Sequence, residues 1–284
     1  MRFLRFSALG AFLAVACTGC ITFLTEIHLA SDGSGTLVQT VSMDPHAAAG
    51  AMQEVARGLG GEGSVHEHET RETETKSEGP FANADFAAKA KELGDGVEFV
   101  SADPIRAADA EGVRVTYRFR DVRTLYLNPK PGAAMGTEGA GRSSPRALRF
   151  RFEKSGGRSI LTAITPPAEK KTTTAGDAAP PPAEKADPQQ LEMVRRMFKG
   201  MRMGLTIDVD GPIVATNASF HEARRVTLID LDMDRLLDRP ETLETLNARL
   251  SAAGGDDAKT AEVLSAVPGV KIETKPEVRV EFGR

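Results

Sequence analysis

The amino-acid sequence predicts an α+β fold: an antiparallel sheet of hairpins with helices packed on one face, interrupted by low-complexity loops. Apolar residues alternate with a period of two in several short segments bounded by Gly, Asp and Pro. Segments with helical apolar spacing lie between them, and stretches rich in Gly, Ala and Pro separate the two kinds. With 284 residues, 40% of them hydrophobic and 27% charged, the chain has a globular composition. That excludes collagen-like, multi-span membrane and wholly disordered classes.

The first element is a hairpin over Thr22–Met43. Phe23, Thr25, Ile27 and Leu29 share one face, and Thr22, Leu24, Glu26 and His28 the other, with Leu24 out of place on a polar side. Asp32-Gly33-Ser34-Gly35 supplies the turn, and Leu37, Val41 and Met43 return along the second strand. Asp44-Pro45 then opens a helix over Ala47–Leu59 that Gly60-Gly61 ends. Residues 60–80 are polar and read as a loop, and a second helix spans about Asn83–Leu93, stopped by Gly94. Strands follow at Val97–Ala102 and Val113–Arg120. The latter puts Val113, Val115, Tyr117 and Phe119 on one face and Arg114, Thr116, Arg118 and Arg120 on the other. After a Gly/Ala/Pro-rich loop at 128–145, Arg146–Glu153 and Ser159–Thr165 form a hairpin across Ser155-Gly156-Gly157, with Leu148, Phe150 and Phe152 inward.

Residues 166–190 carry six prolines and no large apolar residue, the composition of an extended linker. A helix at about Gln189–Met201 comes next, then strands near Leu205–Asp210, Ile213–Phe220 and Arg225–Leu231. Helices at about Arg239–Ala252 and Lys259–Val267 precede a last strand, Glu277–Phe282. Two organisations compete: separate domains on either side of the linker, or one domain with an insertion. Strand character is the same on both sides, which favours one discontinuous α+β domain made of 20–165 and 191–284.

Residues 1–19 read as a secretory signal. Arg2 and Arg5 precede an apolar run from Phe6 to Ala16, which is too short for a spanning helix of ~20 residues. The small-residue ending, Thr18-Gly19-Cys20, resembles the lipobox of bacterial lipoproteins. In that family a cysteine is lipidated on sulfur and becomes the mature N-terminus. Cys20 is the favoured site and Cys17 the second choice, because Gly precedes Cys20. Cleavage before Cys20 leaves no free thiol, so disulfides and catalytic cysteines are excluded. By the sorting rule of Gram-negative lipoproteins, and if the cell is Gram-negative, Ile21 implies export to the outer membrane, facing the periplasm. The membrane, reached through the acyl chains, is thus the first expected partner.

The strand into Asp32-Gly33-Ser34-Gly35-Thr36, the later Val209-Asp210-Gly211-Pro212-Ile213-Val214-Ala215-Thr216-Asn217-Ala218 stretch and Val226–Leu231 resemble the LppM-type domain of bacterial lipoproteins. The resemblance covers the first hairpin and the last third of the chain. It implies an α+β fold and a binding role at the envelope, with no catalytic residues to carry over. The 166–190 linker departs from the family pattern, as does Leu228, which stands where a Trp is expected.

Charge and composition narrow the partners. The chain has 36 Lys+Arg against 40 Asp+Glu, a poor match for nucleic acid, whose binding rests on neutralising phosphates. No Trp and only two Tyr leave few stacking platforms for bases or sugars. His66-Glu67-His68 is the one histidine pair, but i and i+2 in a polar loop fix no coordination geometry. Asp230, Asp232, Asp234, Asp238 and Glu241 fall at positions 1, 3, 5, 9 and 12 of a calcium loop, yet Arg235 occupies the position that needs glycine. A strand end followed by an acidic helix start explains the same pattern. Met193, Met197 and Met201 recur at helical spacing beside Phe198, which suits Cu(I), a pliable lipid or peptide surface, or plain packing, the last being simplest. Arg118, Arg149 and Arg151, with Arg114 and Arg120, would make a basic face for anionic lipid if their two strands were neighbours.

No G-x-S-x-G, H-E-x-x-H or P-loop pattern occurs, and no cofactor motif. The expectation is therefore a lipid-anchored envelope protein whose domain binds a lipid, peptide or protein partner without catalysis. A structural or assembly lipoprotein is the alternative, and a hydrolase the third. Replacing Cys20→Ala is expected to abolish metabolic labelling with palmitate; labelling that persists on Cys17 would put the cleavage site three residues earlier.

Overall fold

The computed structural model describes residues 21–44, 85–107, 110–128, 147–165, 200–237, 249, 253 and 257–283. Within them the first hairpin forms as its alternation requires. Strands β1 (Ile21–Leu29) and β2 (Gly35–Met43) pair antiparallel with Ile27 opposite Leu37. The turn is closed by Asp32, whose carboxylate accepts from the Ser34 amide and hydroxyl at 2.9 and 2.6 Å. Gly33 takes a φ of +93°, and the Phe152 ring lies 2.9 Å from where a β carbon would stand. Gly35 has no room for a side chain either, because a β carbon would collide with the His28 carbonyl and the Phe119 ring.

Helix α1 (Phe86–Leu93) starts on Asp85, which accepts from the Ala88 amide at 2.8 Å, and it buries only Ala90 and Leu93. Next come β3 (Glu98–Ala107), β4 (Ala110–Phe119) and a single 3-10 turn at Val122–Thr124. The hairpin of β5 (Arg149–Ser155) and β6 (Arg158–Ile164) follows. Beyond residue 199 lie β7 (Arg202–Val209), β8 (Ile213–Thr216), β9 (Arg225–Asp232), α2 (Met233–Leu237) and α3 (Asp257–Ser265). The two-residue β10 (Lys271–Ile272) and β11 (Glu277–Phe282) complete the described chain.

The expected fold class needs correcting. The described residues are mostly β, arranged as two sheets, with three short α-helices that do not cover a sheet face. One sheet has seven strands in the order β10-β9-β7-β1-β2-β4-β3, and the other has four, β5-β6-β11-β8. The larger sheet is not wholly antiparallel, since β1 and β7 run parallel from Thr22–Arg202 to Leu29–Val209. Both sheets take strands from each side of residues 166–199.

What packs on the large sheet is chiefly the small one. Ile27, Leu37, Tyr117, Phe119 and Ile207 from the first share a single core with Phe150, Leu161, Val278, Val280 and Phe282 from the second. Each such side chain contributes ~1.5–3 kcal/mol on full burial, and α1 adds Leu93 and Ala90 to the same core. A separate cluster of Leu236, Val267 and Val270 ties α2 and the turn after α3 to β9 and β10.

The chain passes between sheets at Asp210-Gly211-Pro212. The Asp210 amide donates to the Leu29 carbonyl at 2.9 Å, and the Gly283 amide donates to the Pro212 carbonyl at 3.2 Å. The strand expected over Ile213–Phe220 stops at Thr216 because Asn217 replaces a strand neighbour with its side chain. Its amide nitrogen donates to the Glu277 carbonyl at 3.0 Å, and its oxygen accepts from the Arg279 amide at 2.7 Å. The helices expected at 47–59, 189–199 and most of 239–252 lie outside the described residues. Gly200 and Met201, at the end of the second of these, are not helical. The Gly35→Ala variant is expected to lose about 1–3 kcal/mol of stability, the cost of overpacking, read as a lowered urea midpoint at unchanged slope.

Candidate functional site

Most charged side chains of the described residues are committed to partners. On the face of the large sheet that points away from the core, Arg225 holds Asp208 through two hydrogen bonds of 2.7 and 2.9 Å and lies 3.9 Å from Glu26. His28 stands 3.6 Å from Asp208, and Arg114 stands 3.6 Å from Glu26. Between these ions the face carries Thr36, Thr40, Thr116, Thr206 and Thr227, with Leu24 and buried Val38 among them.

The sequence-derived candidates fall in separate places. Cys17, Cys20, His66, His68, Met193, Met197, Phe198, Asp238 and Glu241 lie outside the described residues. Met201 is half-buried ahead of β7, and its carbonyl accepts from the Met233 amide. Asp230 faces Arg202 at 3.6 Å, whereas Asp232 starts α2 by accepting from the amides of Asp234 and Arg235. Asp234 accepts from the Gly200 amide at 2.6 Å. These three carboxylates therefore serve backbone amides and an arginine at a strand-to-helix junction. Among the described residues no group of three or more His, Cys, Asp or Glu converges as a metal site.

The basic face is also corrected. β4 and β5 belong to different sheets, so Arg118 does not share a strand face with Arg149 and Arg151. Arg118 donates to Glu98 at 2.6 Å, Arg151 pairs with Glu277, and Arg149 lies over the Tyr126 ring at 5.7 Å from its centre. Strand alternation predicted that these arginines point outward but carried no information on which strands pair.

Two features went unread in the sequence. The first is a cluster of Ser219, Glu273 and Lys275 that resembles a nucleophile with a base. The Glu273 side chain is only 2% exposed, and it accepts from the amides of Ser219 and Lys275 at 2.5 and 3.2 Å and from the Ser219 hydroxyl at 3.1 Å. Lys275 Nζ donates to Ser219 Oγ at 2.5 Å. With the Ser219 and Lys275 backbone amides also on the carboxylate, the arrangement holds the 217–220 loop beside the segment after β10. Burial alone would raise the Glu273 carboxyl, but these donors and the Lys275 charge outweigh it and hold it below its ordinary 4.5.

The second feature is an exposed apolar ledge on β3, an edge strand. Phe99 and Val100 are 40% and 51% exposed, and only Val214 among the other described large hydrophobics is comparably open. The Phe99 ring is nearly parallel to Phe86 of α1 at 6.1 Å and meets buried Tyr117 edge-on at 6.3 Å. Burial pushes the Tyr117 phenol well up, with the Glu92 carboxylate adding to it. Val100 is open because the β3–β4 register shifts between Phe99 and Ser101, a bulge that turns it out of the alternation. Glu98, Arg118 and Arg120 border the ledge, and hydrogen bonding to Arg118 holds the Glu98 carboxyl below its usual range. Lys89 sits on α1, its ammonium drawn below the ordinary value by burial against the opposing pull of Glu92. Two adjacent apolar residues in an alternating strand, Phe99-Val100, were the available signal.

No protein-family model matches the chain, and no curated protein does. Among solved structures, the chain is similar to the folded domain of the LppM protein of Mycobacterium tuberculosis, determined by NMR. Identity is 14%, the match covers 76% of this chain and 84% of that one, and the TM-score is 0.30.

The Glu273 clamp yields a pH test. Its folded value lies below the unfolded one, so its stabilisation is complete above the unfolded value and is lost as pH falls through about 4.5 and below. Glu273→Gln is expected to cost about 1–3 kcal/mol at pH 7, with the gap to the parent protein closing toward pH 3. Thermal melts of both proteins across that range are the check.

Proposed function

We propose that this chain is a lipid-anchored envelope protein whose β-rich domain binds a protein partner, without catalysis, at the outer edge of β3. The observation that carries the reading is the exposed Phe99–Val100 pair on the edge strand β3. An exposed apolar patch beside charged residues favours a protein surface. An aromatic anchor backed by buried Tyr117 and half-buried Phe86 and bordered by charge has the composition of an interface centre with a polar rim.

The edge strand itself is guarded. The bulge at Val100 and Pro104, which has no amide hydrogen, both work against open-ended strand addition. Recognition is therefore assigned to the side chains of Phe86, Phe99 and Val100 rather than to backbone ladders. Export and anchoring rest on the leader and Cys20, and the outer membrane is the expected address if the cell is Gram-negative.

The test places the photo-crosslinker benzoylphenylalanine at position 99, 100 or 214 of the full chain in living cells. Discrete protein adducts from 99 and 100, with none from 214, are expected. The adduct from 100 should vanish when Phe99→Asp is added, while the protein still unfolds in one cooperative melt. Adducts to lipid alone, or equal adducts from position 214, would overturn the reading.

A further inference from the structure

We infer that the end of the large sheet where β1 begins rests directly on the headgroups of the bilayer that holds the acyl chains. This rests on the reading of Cys20 as the lipidated residue. No spacer separates Cys20 from the fold: Ile21 is already a strand residue, paired with Met43. One residue spans at most ~3.6 Å, so the start of β1 must lie at the level of the lipid glycerol.

Neighbouring strands are ~4.8 Å apart, which brings the ends of β2 and β7 within about 5 Å of β1 and those of β4 and β9 within about 10 Å. The residues at this end suit an interface. Ile21, Met43 and Met201 are half-buried, and behind them Leu231, Met203, Phe23 and Val41 form a cross-strand row. Arg106 and Arg202 are exposed there, and although Arg202 also faces Asp230 at 3.6 Å, both can reach lipid phosphates. The acids at this end are Glu111, opposite Met43 and Arg106, buried Asp44 just after Met43, Asp230, which faces Arg202, and Asp232 and Asp234, which the start of α2 and the Gly200 amide engage. The far end of the same sheet, by contrast, is the polar Ser31–Ser34 turn together with Arg120, both removed from the anchor by the full length of the strands. Ile and Met side chains at the near end lie along the acyl boundary while the arginines reach the phosphates.

Cys17 and Cys20 are the only cysteines, so an introduced one is the sole free thiol after maturation. The experiment uses the full chain in its acylated form, carrying Glu111→Cys or Arg120→Cys labelled with a polarity-sensitive fluorophore. The two positions bracket β4, roughly 30 Å apart along one strand. Each protein is reconstituted into vesicles of phosphatidylethanolamine and phosphatidylglycerol doped with a doxyl lipid quencher. Quenching at position 111 is expected to exceed that at position 120 by roughly threefold or more, as an interfacial location requires. Equal quenching at both positions, with Cys20 acylation confirmed by intact mass, would overturn the inference alone. So would a position-111 label shielded from water but untouched by the lipid quencher, which would mean protein covers this end. An unacylated protein, or one acylated on Cys17, would instead show that the anchor reading has failed and takes this inference with it.

Discussion

The structure depends on β1 having no free edge. It pairs along its whole length with β2 on one side and along nearly all of it with β7 on the other, and β7 lies beyond residues 166–199. The parallel partner joins the two parts of the chain in the large sheet, as β6 with β11 does in the small one, and without it β1 would be an edge. A slip of one residue would carry Ile27 and Leu29 to the polar face and Glu26 and His28 into the core, so the register is fixed by burial. Closing a loop between strands some 170 residues apart costs only logarithmically more than closing a short one. A long polar insertion between them is therefore tolerated.

From that central strand the other features take their positions. β7 leads into the Asp210-Gly211-Pro212 corner, which delivers β8 to the small sheet and lets that sheet cover the inner face. The Glu273 clamp and the Asn217 side chain then hold the outgoing loop against β11. On the other side, β2 and β4 carry β3 to the rim, where the bulge at Val100 turns one apolar side chain outward and α1 props Phe99. In the proposed arrangement the sheet has a lipid end at Ile21 and a recognition edge toward the other end of β3. Phe99 lies opposite Tyr117, which in turn lies opposite Leu37, near the turn remote from the anchor.

Local patterns were legible and long-range pairings were not. The alternation of Val113, Val115, Tyr117 and Phe119 marked a buried face, and all four are buried. Asp32-Gly33-Ser34-Gly35 and Ser155-Gly156-Gly157 marked their turns for the same reason, since glycine alone fits the left-handed positions. Partition into two sheets was hidden because a strand reads the same in either one; β6 meets β11 across more than a hundred residues. The arginines illustrate the consequence, being correctly outward yet wrongly grouped. The helix-rich expectation came from segments whose spacing suits a helix, most of which lie outside the described residues. The ledge was hidden by the bulge, which a period-two reading cannot locate.

The most direct test is hydrogen exchange of the full chain in native envelope fragments, compared with the purified acylated protein in vesicles. Slower exchange confined to Glu98–Ala102 of β3 and to α1 in the native fragments is the expected result. Unchanged β3 amides, with new protection instead on the threonine-lined face of β1, β2 and β7, would contradict the assignment of the recognition edge.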